Sequence, residues 1–350
     1  MTLISTPFQD QKVSENQNQI LNLLQESSNR SSEILNEFTS ENTKKAFLGD
    51  MMYWKAWLSA VGLNFESKHK SIDILRCFIV QHIEGMDPNV DQKLLEQGLK
   101  AKLGTHSLAT VKRRIASLSV FLDRMKWENP CREKEIKFLL EKFRKKHKRF
   151  NKRQAITKDV LEDMIKTCKS NNKLDVRDKA ILFFGWSSGG RRRSEIVDAK
   201  FENLTKTSDG DYLYNLNSSK TNQTGEDDIK PIKGRAAKAL TDWLELSKIT
   251  SGYLFRSIRS MSKGNLEIKK IGLSGNDIRR MVKKRARLAG YDEKWFSAHS
   301  IRRGFVTESG IQGKPILDVM KMTSHKNVAT TMKYYDAGNI NNNSCANLAG

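Results

Sequence analysis

The residues with the most chemistry in them lie late in the chain, in Ser297-Ala298-His299-Ser300-Ile301-Arg302, Ser324-His325-Lys326-Asn327 and Lys333-Tyr334-Tyr335. His299 and Arg302 are three apart and so share one helix face. His325 follows 23 places after Arg302, and Tyr334 nine places after His325. A base, two hydrogen-bond donors and a nucleophile therefore stand in order. Each alone has an ordinary explanation, since a lone histidine near an apolar helix is usually packed or solvated and most tyrosines are half-buried core. The ordered combination is much rarer.

Upstream, Arg191-Arg192-Arg193-Ser194-Glu195 offers three arginines, of which Arg192 puts a glutamate three places on, and Lys220 sits between two runs of alternating apolar and polar residues. These residues resemble the signature of the tyrosine recombinases, the phage and plasmid integrase family. That signature is R-x-x-E, a lysine on a β-hairpin, H-x-x-R, a His or Trp, and a nucleophilic Tyr. Here it reads Arg192 with Glu195, Lys220, His299 with Arg302, His325, and Tyr334. Arg191 and Arg193 are close competitors for the first place, but only Arg192 meets the R-x-x-E spacing.

The resemblance implies roles that the chemistry of a phosphodiester makes sense of. Its oxygens repel a nucleophile, so an enzyme must neutralise them with cations fixed in place. Arginine donates two parallel hydrogen bonds and stays charged when desolvated, which suits Arg192 and Arg302 as a clamp, with Glu195 orienting it. A tyrosine is only about 0.1% ionised at pH 7, so roughly 4 kcal/mol must come from base or cation assistance. His299 is expected to take the proton, His325 to donate a hydrogen bond to the phosphate, and Lys220 to protonate the leaving 5′-oxygen. A phosphotyrosine conserves the bond energy, so no nucleotide or metal cofactor is expected.

Composition agrees with a polyanionic partner. The 350 residues include 62 Lys plus Arg against 40 Asp plus Glu, a formal charge of +22, and the pI is near 9.8. A field of that sign points to nucleic acid or an anionic membrane. Membrane is the poorer choice, because no apolar run is long enough to span and the N-terminus has no signal-peptide pattern. Cys77, Cys131, Cys168 and Cys345 are scattered without metal-ligand spacing and read as free thiols in a reducing compartment.

Residues 1–40 read as a flexible arm and an amphipathic helix. Residues 41–141 carry apolar stripes of helical period for four helices, near 40–58, 72–83, 107–125 and 133–143, and resemble the family's core-binding domain. Residues 142–153 hold eight basic residues in twelve with no acid and read as a basic interdomain linker tracking phosphates. From 154 to 350 follows the catalytic domain with a C-terminal tail. Its period-two stretches around Ala199 to Leu204, Tyr212 to Leu216 and Ile229 to Ile232 predict a small antiparallel sheet with Lys220 at a hairpin end. The rest reads as helix, over Ala236–Ser247, Gly275–Leu288, His299–Gly310, Ile316–Met322 and Asn327–Tyr335. DNA contacts are expected from Lys112, Arg113 and Arg114, from Lys145, Lys146, Lys148 and Arg149, and from the basic face of helix 275–288, which includes Arg279, Arg280, Lys283, Lys284, Arg285 and Arg287.

The expected fold is mainly α with a small antiparallel β-sheet in an α+β catalytic domain, two domains forming a C-shaped DNA clamp. The resemblance implies site-specific recombination of double-stranded DNA through a 3′-phosphotyrosine and a Holliday junction. It further implies an inverted-repeat site, a homotetramer on two sites as in Cre-type members, and a prokaryotic cytoplasmic location. Type IB topoisomerases and telomere resolvases share the catalytic set, and a DNA-binding regulator on a catalytically dead scaffold is the rival from another class. Supercoil relaxation without site preference, or failure to trap a covalent adduct, would favour one or the other.

Overall fold

A computed structural model of the protein describes residues 41–63, 71–146, 153–216, 228–261 and 265–340. The expected arm, Lys148, Arg149, Lys220 and the C-terminal tail lie outside the described residues. The chain divides into two compact units, Met1–Phe150 and Asn151–Gly350.

The first unit holds five α-helices among the described residues: α1 (Glu41–Ala60), α2 (Ile72–Glu84), α3 (Pro88–Glu96), α4 (Leu108–Arg124) and α5 (Lys134–Lys146). Their starts are fixed locally. Ser71 and Ser107 accept hydrogen bonds from the N–H groups of Ile74 and Thr110, and Asp87 accepts from Asn89 and Val90 with Pro88 at the helix start. The apolar stripes meet at Trp54, Trp57 and Phe78, where Trp54 stacks on Phe78 at 3.7 Å between ring centroids. Helix α3 is one more than the sequence suggested. It is short and buries only Val90, Asp91 and Leu94, too little for a periodic signal, although Asp87-Pro88 is a recognisable helix start. Helix α5 runs to Lys146, so the basic stretch expected as a linker begins inside a helix.

One expected DNA contact in this unit is corrected. Arg114 is buried, with its guanidinium 3.1 Å from the Tyr53 ring centroid and Nη1 donating to His106 Nε2 at 3.0 Å. Successive helix residues point about 100° apart, so Lys112, Arg113 and Arg114 cannot share a face. Arg113 stays exposed, and Lys112 is partly so.

The second unit runs α6 (Lys158–Lys166), α7 (Lys173–Ser187), α8 (Arg193–Val197), β1 (Leu204–Lys206), β2 (Tyr212–Asn215), β3 (Ile229–Ile232), α9 (Arg235–Ser247), β4 (Arg256–Ser260), β5 (Leu266–Gly272), α10 (Gly275–Leu288), α11 (Ala298–Ile311), α12 (Ile316–Thr323) and α13 (Val328–Asn339). Helix α7 is its centre. Five consecutive residues, Ala180 to Phe184, are buried, which a helix permits only when neighbours cover it all round. An antiparallel sheet is present as β1-β2-β3, with Tyr212 opposite Ile232 and Asn215 opposite Ile229, but its first strand begins at Leu204, not at Ala199, because Phe201–Asn203 form a 3-10 turn.

A second antiparallel hairpin, β4–β5, was not expected. Its faces are only half buried and Lys269-Lys270 interrupts the alternation, so its period-two pattern is weak. In α10 the expected basic face needs one correction. Arg285 is fully buried, with Nε 3.0 Å from Asp178 Oδ2 and Nη1 3.0 Å from the Thr167 carbonyl. It anchors α10 to α7, while Arg279, Arg280 and Arg287 are exposed and Lys283 and Lys284 partly so.

Candidate active site

The site is assembled on the turn that ends α7. Gly189 and Gly190 have φ of 102° and 68°, a region that only glycine enters cheaply. A Cβ on Gly189 would stand 2.0 Å from the Met322 carbonyl oxygen, and one on Gly190 2.7 Å from Arg302 Cα. Both glycines are therefore what allows the arginine turn to press against α11 and the end of α12.

The three arginines of that turn have different fates. Arg191 is fully buried and donates Nη2 to the carbonyls of Met322 and Gly189. Arg192 precedes α8, its N–H donates to Glu195 Oε2 at 3.0 Å, and its Nη1 donates to Glu195 Oε1 at 2.6 Å. Its side chain keeps 26% exposure. Arg193 is exposed and lies over Gly275. Glu195 is buried, which alone would raise its pKa, but Arg191 and the Arg192 backbone and side chain outweigh this and hold it below the ordinary carboxylate value. Arg192 is thus the arginine that combines a carboxylate tether with an open face.

Arg302, on α11, is 3% exposed. Its Nε donates to His325 Nε2 at 3.1 Å, Nη1 to the Gly190 carbonyl at 3.1 Å, and Nη2 to the Thr323 carbonyl. A guanidinium has five N–H donors, so one on each terminal nitrogen remains for a ligand. Burial, and then the charge of Arg192, lower Arg302 to about 9, which leaves it protonated at neutral pH. Arg191 and Arg192 pair with Glu195 and Arg302 feels the same charge; with Lys230 paired to Asp228, the described side chains here carry a surplus of positive charge.

His325 follows Ser324, whose left-handed φ of 53° ends α12. Because Arg302 can only donate, His325 Nε2 is the acceptor, and the proton belongs on Nδ1, 2.9 Å from Thr323 Oγ1. Burial, followed by the charges of Arg302 and Arg192, lowers His325 to about 4. In this state its Nε2 accepts from Arg302 and its Nδ1 is turned to Thr323, so neither nitrogen offers the donor expected for a phosphate.

His299 and Tyr334 face each other, with ring centroids 6.3 Å apart. His299 is exposed, yet crowding and then the charges of Arg302, Arg153, Arg303 and Arg192 hold its pKa below the ordinary value. The guanidinium of Arg303 lies 5.2 Å from the Tyr334 ring centroid. Tyr335 turns away, buried, and donates its hydroxyl to the Lys314 carbonyl at 2.6 Å. Helix α13 is seated on α11 by Thr307 Oγ1, which donates to the Tyr334 carbonyl at 3.1 Å.

The structure thus brings Arg192, Glu195, His299, Arg302, His325 and Tyr334 together, and Lys220 lies outside the described residues. Sequence reasoning did not single out Arg303, Thr323 or the pair Asp228 and Lys230. Lys230 is buried in β3, its ammonium 2.5 Å from Asp228 Oδ1 and 2.5 Å from the Lys321 carbonyl. Its only sequence signal was a lysine at an inward position of an alternating strand. Among the described residues no cluster of His, Cys, Asp and Glu could hold a metal ion.

Residues 154–339, more than half of the chain, match the model of the phage integrase family. An integrase/recombinase xerD homolog of Selenomonas ruminantium is 29% identical over 244 residues, covering 66% of this chain and 69% of that protein. The Tn1549 transposon integrase in complex with transposon right end DNA has the same fold, with a TM-score of 0.59 at 15% identity over 90% of this chain and 98% of that one. A lambda integrase dimer bound to a COC′ core site follows, with a TM-score of 0.54 at 13% identity over 88% and 94% of the two chains.

Proposed function

The chain belongs to the phage integrase family and is a tyrosine site-specific DNA recombinase, and from that premise we propose that Tyr334 cleaves duplex DNA through a 3′-phosphotyrosine intermediate. The observation that carries the proposal is the surplus of positive charge around Glu195 immediately beside the Tyr334–His299 pair. Such a site lacks an anion, and a scissile phosphate supplies one.

In the proposed reaction Arg192 and the two free N–H groups of Arg302 take the nonbridging oxygens of the phosphate. Tyr334 Oη attacks phosphorus as His299 accepts its proton, and the bond to the 5′-oxygen breaks. Lys220 supplies the proton that the 5′-oxygen needs. A 5′-hydroxyl from the partner duplex then attacks the phosphotyrosine, and the proton returns to Tyr334. The charge neutralisation comes from guanidiniums and the bond energy is kept in the phosphotyrosine, so the cycle is proposed to run without metal or nucleotide.

Binding is assigned to Lys112 and Arg113, to Lys145 and Lys146, and to Arg279, Arg280, Lys283, Lys284 and Arg287 on α10. Arg280 and Arg287 are paired with Asp277 and Glu293 in the free protein, but exposed pairs of this kind are weak and readily exchanged for phosphate. We further propose an inverted-repeat target and a homotetramer on two sites. The test is a nicked duplex that loses its 5′-hydroxyl fragment after cleavage, incubated with the protein in chelator and without nucleotide. A denaturation-resistant protein–DNA adduct is expected. Supercoil relaxation without site preference, or no adduct on any host-replicon DNA, would overturn the reading.

A further inference from the structure

Three cations from three separate segments end on three successive carbonyls. Lys230 of β3 donates to the Lys321 carbonyl, Arg191 of the α7–α8 turn to Met322, and Arg302 of α11 to Thr323. These carbonyls close α12 immediately before His325. The last carbonyls of a helix lack intrahelical partners and carry the negative end of its dipole, so buried cations there satisfy them in both respects. All three cationic side chains are buried, with 2%, 0% and 3% of their surface exposed.

The β3 arm of this arrangement has a second connection. Asp228, which pairs with Lys230, also accepts from Ser324 Oγ at 2.5 Å. Ser324 is the left-handed residue that turns the chain into His325. The Asp228 carbonyl in turn accepts from Leu216 N–H at 3.0 Å, joining the facing ends of β2 and β3. Lys230 cannot itself reach substrate, since its ammonium is buried against Asp228 and a backbone carbonyl.

We propose that Lys230, with Asp228 and Ser324, is a positioning latch that holds the end of α12, and with it His325, in register with Arg302 and with the facing ends of β2 and β3. Arg191 and Arg302 hold the same helix end from the other two catalytic segments, so one turn registers all of them. The proposal rests on the recombinase reading. It gives Lys230 a role that no motif spacing records.

The test uses the full chain. Lys230→Met keeps most of the side-chain volume and removes the ammonium, and it is expected to slow adduct formation on the order of 100-fold, the usual cost of misplacing a reacting group by about an ångström. Combined with His325→Ala it is expected to add almost nothing, because both act through one turn, whereas independent defects would multiply. DNA binding should be unchanged. An activity-independent readout is the titration of His325 by NMR, which should stay near 4 in the parent and rise in Lys230→Met as the turn loosens and admits water. Should that variant not fold, Ser324→Ala, which removes only the hydroxyl bound to Asp228, carries the same two measurements. Multiplying defects together with an unmoved His325 titration would refute the latch. If His325→Ala itself cleaves normally, the catalytic reading of His325 fails, and the titration alone decides the latch.

Discussion

The seat of α13 against α11 makes a quantitative prediction. Helices α11 and α13 approach through Gly310 and Gly338. A Cβ on Gly338 would stand 2.0 Å from the Thr307 carbonyl oxygen, and one on Gly310 2.2 Å from the Tyr335 carbonyl oxygen. Ordinary contact begins at 3.4 Å, so an alanine at either place must open the helix pair by about 1.4 Å or 1.2 Å, respectively. Tyr334 rides on α13 while His299 and Arg302 ride on α11, so the opening separates the proposed nucleophile from the proposed base and clamp. A displacement of about an ångström costs on the order of 100-fold in rate. Gly338→Ala should therefore slow adduct formation on a nicked substrate by that factor with DNA binding intact. Gly49→Ala, where nothing lies within 4 Å, is the control and should cleave normally. Normal cleavage by Gly338→Ala would show that the helix seat does not set the Tyr334 position.

Removing Arg192 or Arg302 should each raise the cleavage barrier by about 2.7–4 kcal/mol, the range for one transition-state donor, while a binding assay registers little change. His299 must be neutral to accept a proton, so cleavage should fall only as pH drops through its depressed pKa. The acid limb of single-turnover cleavage should lie below the ordinary value of about 6.5, and Arg153→Ala or Arg303→Ala should move it upward. A limb that stays put would remove those charges from the account. Neutralising Arg279, Arg280 and Lys283 together should flatten the dependence of log affinity on log salt by roughly three, whereas Arg114→Met, being buried, should cost stability and leave that slope alone.

The candidate site was legible as a constellation because its members sit at fixed spacings on helices and turns, where side-chain type and position carry the proposed chemistry. Arg192 was separable from Arg191 and Arg193 by the glutamate three places on, and the structure places that carboxylate on Arg192 at 2.6 Å. What sequence did not reveal is which cations face inward. Arg114 and Arg285 read as members of basic faces, but each lies on the side of its helix that meets buried partners, Asp50 for one and Asp175 and Asp178 for the other. Those carboxylates are 64 to 110 residues distant in sequence, and no local pattern reports them. The α12 cap was hidden for a related reason. Its acceptors are backbone carbonyls, which every residue carries, so the convergence of Lys230, Arg191 and Arg302 leaves no motif. Helix α3 and hairpin β4–β5 are short and half exposed, and their periodicity is correspondingly faint.

Tyr334, and not its neighbour, is the proposed nucleophile. Neighbouring helix residues diverge by about 100°: Tyr334 meets His299, and Tyr335 is bonded to the Lys314 carbonyl. Tyr335→Phe should lower stability by about 0.5–1.5 kcal/mol through the lost hydrogen bond and still form the adduct. Tyr334→Phe should bind DNA and form none. The most direct measurement is mass spectrometry of the proteolysed covalent complex, which should find the nucleotide on Tyr334. A nucleotide on Tyr335, or on neither tyrosine, would contradict the account.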